Sequence, residues 1–455
     1  MTERIVIIGA DAAGMSAAHQ ALRTAEKNGR DLQVTVLDKG RYTSYSACGI
    51  PYWMAGDVPS GDALVGRTPA EHREAGIDLR LESEVTAVDL AGRQVKLADG
   101  QTVEYDQLVV ATGAPAAIPP WAHAEDGTPY DRVGPVKTLE DGEAWLGRFA
   151  RAGEGAHLVI VGGNYIGVEM AEIALKRGLG VTVLTRSRVM SLLEPEMSER
   201  VALALTEAGV EVILDAEITG LRVCDGVVCG VEWEDGGRDC DLVVLAVGVE
   251  PATGFLADSG LPMGPSGGLR AEPTGRVADG VWAAGDCCEV RRRLVGDWAF
   301  LPLGTHANKA GRALGDNLGG GSLTFDGVLE TSITRFEGGG QYLEIARTGL
   351  SVDDAREAGF DPVSLLTPGS TASGYMLEAE PMDILVTADR GSRRLLGVQI
   401  VGGHGSGKRI DTAAAVLWHE GTVDDLAWMD LSYSPPFSTA WEVLQVAARR
   451  VAEQI

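Results

Sequence analysis

Arg4-Ile-Val-Ile-Ile-Gly9 runs into Ala-Asp-Ala-Ala-Gly14, and the same pattern returns at His157-Leu-Val-Ile-Val-Gly162 with Gly-Asn-Tyr-Ile-Gly167. Behind each loop comes a small-residue helix, to about Glu26 and about Arg177, and then a second apolar strand, 32–38 and 181–185. Short apolar strands alternating with helices belong to parallel sheets buried on both faces. A strand, glycine loop, helix and strand used twice in one chain is an internal repeat, and it predicts two nucleotide-binding domains.

In such a loop the first glycine makes the turn, the second lets a pyrophosphate approach the backbone, and the third lets helix and strand pack closely. The middle position here is Asp11 in one copy and Asn164 in the other. Both residue types tolerate left-handed backbone, so the turn is expected to survive, while a side chain now stands where the pyrophosphate approaches. Asp38 ends the second strand of the first unit, where a carboxylate accepts hydrogen bonds from an adenosine ribose. The matching point of the second unit reads Thr185-Arg186-Ser187-Arg188. Guanidinium groups there favour a ribose 2′-phosphate, so NADPH is preferred over NADH, with NADH possible. A third signal, Gly280-Val-Trp-Ala-Ala-Gly285-Asp286, puts a carboxylate at the C-terminal edge of a sheet.

A chain of 455 residues is long enough for about three domains. After about Phe325 the pattern turns to mixed strands and helices without another glycine loop. The net charge of −26 argues against nucleic-acid or membrane-surface partners. No apolar run approaches the roughly 20 residues needed to span a bilayer. The N-terminal apolar stretch reads as a strand and not a signal peptide, and a cytoplasmic location is expected. Six irregularly spaced cysteines make no disulfide framework. Cys224 and Cys229 flank Asp225-Gly226, a hairpin turn, and with Cys240, Cys287 and Cys288 are expected to be plain structural thiols. No cluster has metal-ligand spacing.

The Gly9 loop, Ala111-Thr-Gly113, Gly162-Gly-Asn-Tyr-Ile-Gly-Val-Glu169 and Ala284-Gly-Asp286 stand in an order that resembles the pyridine nucleotide disulfide oxidoreductase family over essentially the whole chain. The resemblance implies an α/β protein with two Rossmann-like dinucleotide-binding domains and a C-terminal α+β dimerisation domain, forming a homodimer. FAD would occupy a discontinuous domain, 1–120 and 245–325, with Asp286 on its ribityl chain. NAD(P)H would occupy 121–244, and 326–455 would dimerise. The cofactor-binding positions are then Gly9, Ala10, Gly14, Asp38, Lys39, Ser46, Val85, Ala111, Thr112, Gly113, Gly162, Asn164, Tyr165, Ile166, Gly167, Glu169, Arg186, Arg188, Gly248, Asp286, Leu303 and Ala307.

The chemistry turns on Ser44-Tyr-Ser-Ala-Cys48-Gly-Ile-Pro51-Tyr52. A dithiol member of the family has a second cysteine five residues after the first, where this chain has Trp53. The single cysteine is similar to the branch containing coenzyme A disulfide reductases, persulfide reductases and NADH oxidases. Pro51 fits the first turn of a helix, whose N-terminus is expected to lower the Cys48 pKa. In that branch, Leu431-Ser-Tyr433-Ser-Pro-Pro-Phe437 would cross the dimer interface and make Tyr433 a proton donor to the leaving thiolate. Tyr375 is a second catalytic candidate, although Tyr375-Met376-Leu377 departs from the paired tyrosines of coenzyme A reductases, and Arg23 and Lys27 are a thin basic set for a coenzyme A phosphate. The expected activity is NAD(P)H- and FAD-dependent reduction of a disulfide or persulfide, coenzyme A disulfide foremost, through Cys48. The alternatives are an NAD(P)H oxidase working through a sulfenic acid and a flavin-bound redox sensor with little turnover.

Overall fold

The computed structural model describes residues 2–124 and 126–455. Its first sheet has six strands in the spatial order Arg276–Ala278, Val281–Ala283, Gln107–Val110, Glu3–Ile8, Leu32–Leu37 and Ile77–Arg80. All but the edge strand Arg276–Ala278 run parallel. The second sheet is wholly parallel, with Glu211–Ile213, Gly180–Leu184, His157–Val161, Leu242–Leu245 and Val133–Gly134 side by side. Each unit also carries a three-stranded antiparallel meander, Val85–Asp89 to Thr102–Glu104 in the first and Ile218–Cys224 to Gly236–Asp239 in the second. The repeat seen in the two glycine loops thus extends to whole subdomains.

Part of the glycine excess serves helix packing. Helix Ala12–Asn28 lies against helix Gly304–Leu318 so closely that a Cβ on Gly311 would sit 2.3 Å from the Ala13 carbonyl oxygen, and one on Gly315 2.3 Å from that of Ala17. This contact joins the start of the first unit to the segment that follows Asp286.

The C-terminal sheet is antiparallel throughout, in the order Ser332–Gly338, Gln341–Gly349, Leu395–Gly402, Pro381–Asp389, Pro362–Ser370. One side packs on helices Ile410–Trp418, Val423–Trp428 and Val443–Ala452 through Ile384, Val398, Leu417 and Ala447. Phe336, Ile345, Leu385 and Val401 join the core of the second unit, with Leu158, Ile160 and Val183. The apolar alternation of these strands therefore has a partner on both faces.

Two expectations are corrected. Asp11 and Asn164 are not left-handed: they sit at φ −119° and −87° with extended ψ, as the residues preceding their helices. The turn itself is made by Gly9 and Gly162, both at φ +111°. Cys224 and Cys229 do flank a hairpin turn, but they are joined by a disulfide, with Cα atoms 5.9 Å apart. A register slip between Arg222 and Val223 leaves Cys229 as the extra residue beside its partner.

Candidate active site

The two glycine loops are near copies at atomic detail. A Cβ on Gly9 would lie 2.1 Å from the Ala111 oxygen, and one on Gly162 2.2 Å from the Ala246 oxygen. A Cβ on Gly14 or Gly167 would lie 1.9 or 2.0 Å from the oxygen of Gly9 or Gly162. Only glycine permits these approaches, and they leave a bare backbone cradle at each helix N-terminus, which suits a dinucleotide. Asp38 accepts from Ala10 N at 2.7 Å and from Gly40 N at 2.7 Å, so it both braces the first loop and presents a carboxylate at the strand end. Lys39 is exposed beside it. Asp11 is the one misfit: burial first, and Asp38 second, push its carboxyl up to about 6. Asn164 accepts from Ser191 N at 3.0 Å.

The strand ends of the two units are tied together, since Thr112 Oγ1 donates to Ala252 O at 2.8 Å and Ala117 N to Gly248 O at 3.0 Å. Leu303, whose carbonyl accepts from Ala307 N at 3.2 Å, opens helix Gly304–Leu318. Ala307 packs near Gly285, where a Cβ would lie 2.8 Å from that of Ala13 and 3.6 Å from that of Ala307. Asp286 is thereby drawn to the mouth of the first cradle.

Cys48 lies in a single 3₁₀ turn, Ala47–Gly49, leading into helix Ile50–Ala55 with Pro51 in its first turn. Its loop is pinned to the first cradle, Thr43 Oγ1 and Ser44 N both donating to Ala10 O at 2.5 and 3.3 Å. Ser46 N donates to Leu64 O at 2.8 Å. The Cys48 sulfur is open to solvent, though ringed by protein. Contrary to expectation, its thiol lies above the ordinary range: burial raises it, the Glu169 and Asp286 carboxylates raise it further, and Lys137 pulls the other way. A helix of 6 residues is too weak a dipole to win against burial and two carboxylates. Cys240, Cys287 and Cys288 are buried, as expected of structural thiols.

Glu169 enters from helix Tyr165–Lys176 of the second unit. Burial pushes its carboxyl up to about 7, and a hydrogen bond of 3.2 Å from Thr334 Oγ1 opposes the rise. Tyr165 shares a 2.5 Å hydrogen bond with Ser332 Oγ. Three residues met only in the fold complete this region: Lys137, whose Nζ stands 3.4 Å from Asp286 Oδ2, and Thr334 and Ser332 from the C-terminal sheet. No motif marks Lys137, which precedes the capping box Thr138–Asp141 at the start of a helix.

Of the two arginines, Arg186 is exposed, whereas Arg188 folds back to donate to Leu193 O at 3.3 Å. Val85 and Ile166 lie half-buried in the cores beside their cradles. Tyr375 and Tyr433 are 73% and 50% exposed. Their loops are stitched together, Ser373 N donating to Pro435 O at 2.9 Å, and Leu377 and Phe437 of the same loops are exposed as well. Among the described residues neither tyrosine hydrogen-bonds to the Cys48 loop, no group of side chains could hold a metal ion, and no helix is long and apolar enough to cross a membrane.

Twin dinucleotide cradles, a single open thiol between them and an antiparallel C-terminal domain define a flavin- and nicotinamide-dependent disulfide oxidoreductase architecture. The chain belongs to the pyridine nucleotide-disulphide oxidoreductase family, whose model matches residues 3–306, with that family's dimerisation domain at 341–444. It is 33% identical to the NAD(P)H coenzyme A polysulfide/persulfide reductase of Pyrococcus horikoshii, covering 99% of this chain and 98% of the relative. It is 31% identical to an NADH oxidase of Methanocaldococcus jannaschii, covering 99% of each. Among solved structures, a NAD-dependent persulfide reductase from A. fulgidus superposes with a TM-score of 0.92 at 30% identity, over 99% of this chain and 83% of that one.

Proposed function

We propose that this chain reduces a small disulfide or persulfide, coenzyme A disulfide foremost, with electrons from NADPH and with Cys48 as the nucleophile. The carrying observation is a single open thiol with no partner thiol in reach. The place of a second cysteine is taken by Trp53, whose ring fills the space beside Gly61 and Gly142. Cys48 thiolate attacks the substrate disulfide, forming a mixed disulfide and releasing one thiolate; two electrons and a proton then break that bond, releasing the second thiol and restoring Cys48. FAD, when bound, relays those electrons from NAD(P)H.

The reading assigns FAD to 1–120 and 245–325 and NAD(P)H to 121–244. Ala10, Asp38, Gly113 and Asp286 hold the first cofactor. Gly162, Gly167 and Arg186 hold the second, with Tyr165 and Glu169 lining the path between them. Lys137 supports the Cys48 thiolate. Arg67 and Arg23, which both act electrostatically on His19, supply beside the Cys48 loop a fuller basic set for an anionic thiol carrier than Arg23 and Lys27 alone. In a cytoplasmic homodimer, the exposed Tyr433 and Tyr375 surface would cover the partner's Cys48 and deliver a proton to the leaving thiolate.

The same unpaired thiol supports a second reading, an NAD(P)H oxidase cycling through Cys48 sulfenic acid. Anaerobic stopped-flow reduction with NADPH, followed by mixing with coenzyme A disulfide or with oxygen, separates the two. Fast reoxidation by the disulfide that Cys48→Ser abolishes is expected. Reoxidation by oxygen alone makes the chain an oxidase, and reoxidation indifferent to Cys48→Ser overturns the thiol mechanism.

A further inference from the structure

Behind the Cys48 loop lies a hydrogen-bonded chain that starts at Arg67 and whose two histidines none of the roles above uses. Arg67 Nη1 stands 3.1 Å from His19 Nε2, His19 Nε2 2.8 Å from His72 Nδ1, and His72 Nε2 3.0 Å from Ser44 Oγ. His72 is fully buried, on the short helix Pro69–Glu74. Arginine can only donate, so His19 Nε2 must be an acceptor. His72 Nδ1 therefore carries the hydrogen that reaches His19, and His72 Nε2 is left as the acceptor of the Ser44 hydroxyl. The bond directions follow from the arginine end, with both imidazoles neutral and the one lone pair of His19 Nε2 shared between the Arg67 and His72 N–H groups. The charged groups that act on them are Arg67 and Arg23, which oppose protonation, and Glu71, which favours it at His72.

The far end of the chain holds a strained residue. Ser44 has φ +50°, a left-handed conformation that is unfavourable for a non-glycine residue and survives only where its surroundings impose it. Its backbone is gripped on both sides, N to Ala10 O at 3.3 Å and O from Gly66 N at 2.8 Å. Its side chain is gripped by His72. Four residues on is Cys48, whose thiolate is favoured by one nearby cation, Lys137.

We propose that His72 is a positioning residue: by accepting the Ser44 hydroxyl hydrogen it locks the left-handed turn that holds Cys48 within the field of Lys137. Slack in this turn lets Cys48 drift from the cation and makes it a poorer nucleophile. The proposal rests on Cys48 as the reactive thiol and is independent of which acceptor the enzyme serves.

The test uses flavin-loaded enzyme and a neutral probe, 2,2′-dithiodipyridine, whose reaction with Cys48 is read from released thiopyridone. The other free thiols, Cys240, Cys287 and Cys288, are buried. In His72→Gln the amide oxygen stands where Nε2 does and keeps the acceptor for Ser44. In His72→Asn the amide nitrogen replaces Nδ1 and that acceptor is lost. We expect His72→Gln to react within about twofold of wild type and His72→Asn about tenfold more slowly, with flavin reduction by NADPH unchanged in both. Ser44→Ala, which spares the buried imidazole, should react as slowly as His72→Asn. Equal rates for His72→Asn and wild type, a His72→Gln as slow as His72→Asn, or a Ser44→Ala at the wild-type rate would each overturn the assignment. Failure of coenzyme A disulfide as an oxidant would leave these probe rates untouched and bear only on the substrate.

Discussion

Thr334, buried in the C-terminal sheet, donates its hydroxyl hydrogen to Glu169 on helix Tyr165–Lys176 across 3.2 Å, so an acid close to Cys48 is held by a sheet far away in sequence. Burial still dominates and pushes Glu169 up from 4.5 to about 7. Between those values the native state keeps a proton that the unfolded chain has lost, and stability falls as pH rises through the window. Glu169→Gln removes the effect. Chemical denaturation of the flavin-loaded enzyme at pH 4.5 and pH 8 should show the variant gaining on wild type by roughly 2–3 kcal/mol between the two, the scale of such a shift. A constant difference across that range would show that Glu169 ionises normally.

Asp11 sets a comparable linkage at the first cradle. Its carboxyl is pushed up to about 6, by burial and then by Asp38, and it stands at the loop position that a pyrophosphate approaches. Above pH 6 both groups are anionic and repel; below it Asp11 is neutral. FAD should therefore bind about tenfold more tightly at pH 5.5 than at pH 8, equivalent to roughly 1.4 kcal/mol. Asp11→Asn should bind FAD tightly at both. Reconstitution of flavin-stripped protein, followed by flavin fluorescence quenching, measures this directly, and an equal pH response in the variant would place the carboxylate away from the pyrophosphate.

The repeat of Gly9 and Gly162 was legible because a Cβ at either position would lie about 2 Å from a carbonyl oxygen, so the site admits one residue type, and that constraint is written in the chain. Cys48 drew notice by its place in a motif resembling the family's, and the helix that follows it was legible from Pro51, a local signal. Lys137, Thr334 and His72 were not. Each gains its importance from a partner far away in sequence, and the same residue types on any surface would look alike. The direction of the Cys48 shift was missed on the same ground: the helix start is local, whereas the burial that raises the thiol first, and the Glu169 and Asp286 carboxylates that raise it further, come from segments far away in sequence.

Oxidation state can be counted. The chain has 6 cysteines, 4 of them free and Cys224 and Cys229 joined. Protein denatured without reductant should titrate four thiols, and six after reduction. Cys224→Ser paired with Cys229→Ser should cost about 1–2 kcal/mol, because the hairpin turn already closes most of that short loop in the unfolded ensemble. Six thiols before reduction would mean that the pair stays reduced in the isolated protein.

Arg186 and Arg188 divide the labour that the sequence assigned to both. Arg188 is spent on Leu193 O, with a buried Nε that has no partner, and so braces its own loop. Arg186 is exposed just past strand Gly180–Leu184, where a ribose 2′-phosphate would lie. A charge-assisted contact of this kind is worth about 1.5–3 kcal/mol. Arg186→Ala should raise the KM for NADPH about 10- to 100-fold and leave that for NADH within about twofold. Arg188→Ala, acting through the loop, should weaken both cofactors alike. Steady-state kinetics with both nicotinamides distinguishes the two roles, and an Arg186→Ala enzyme that loses NADH and NADPH equally would remove the case for a phosphate-specific arginine.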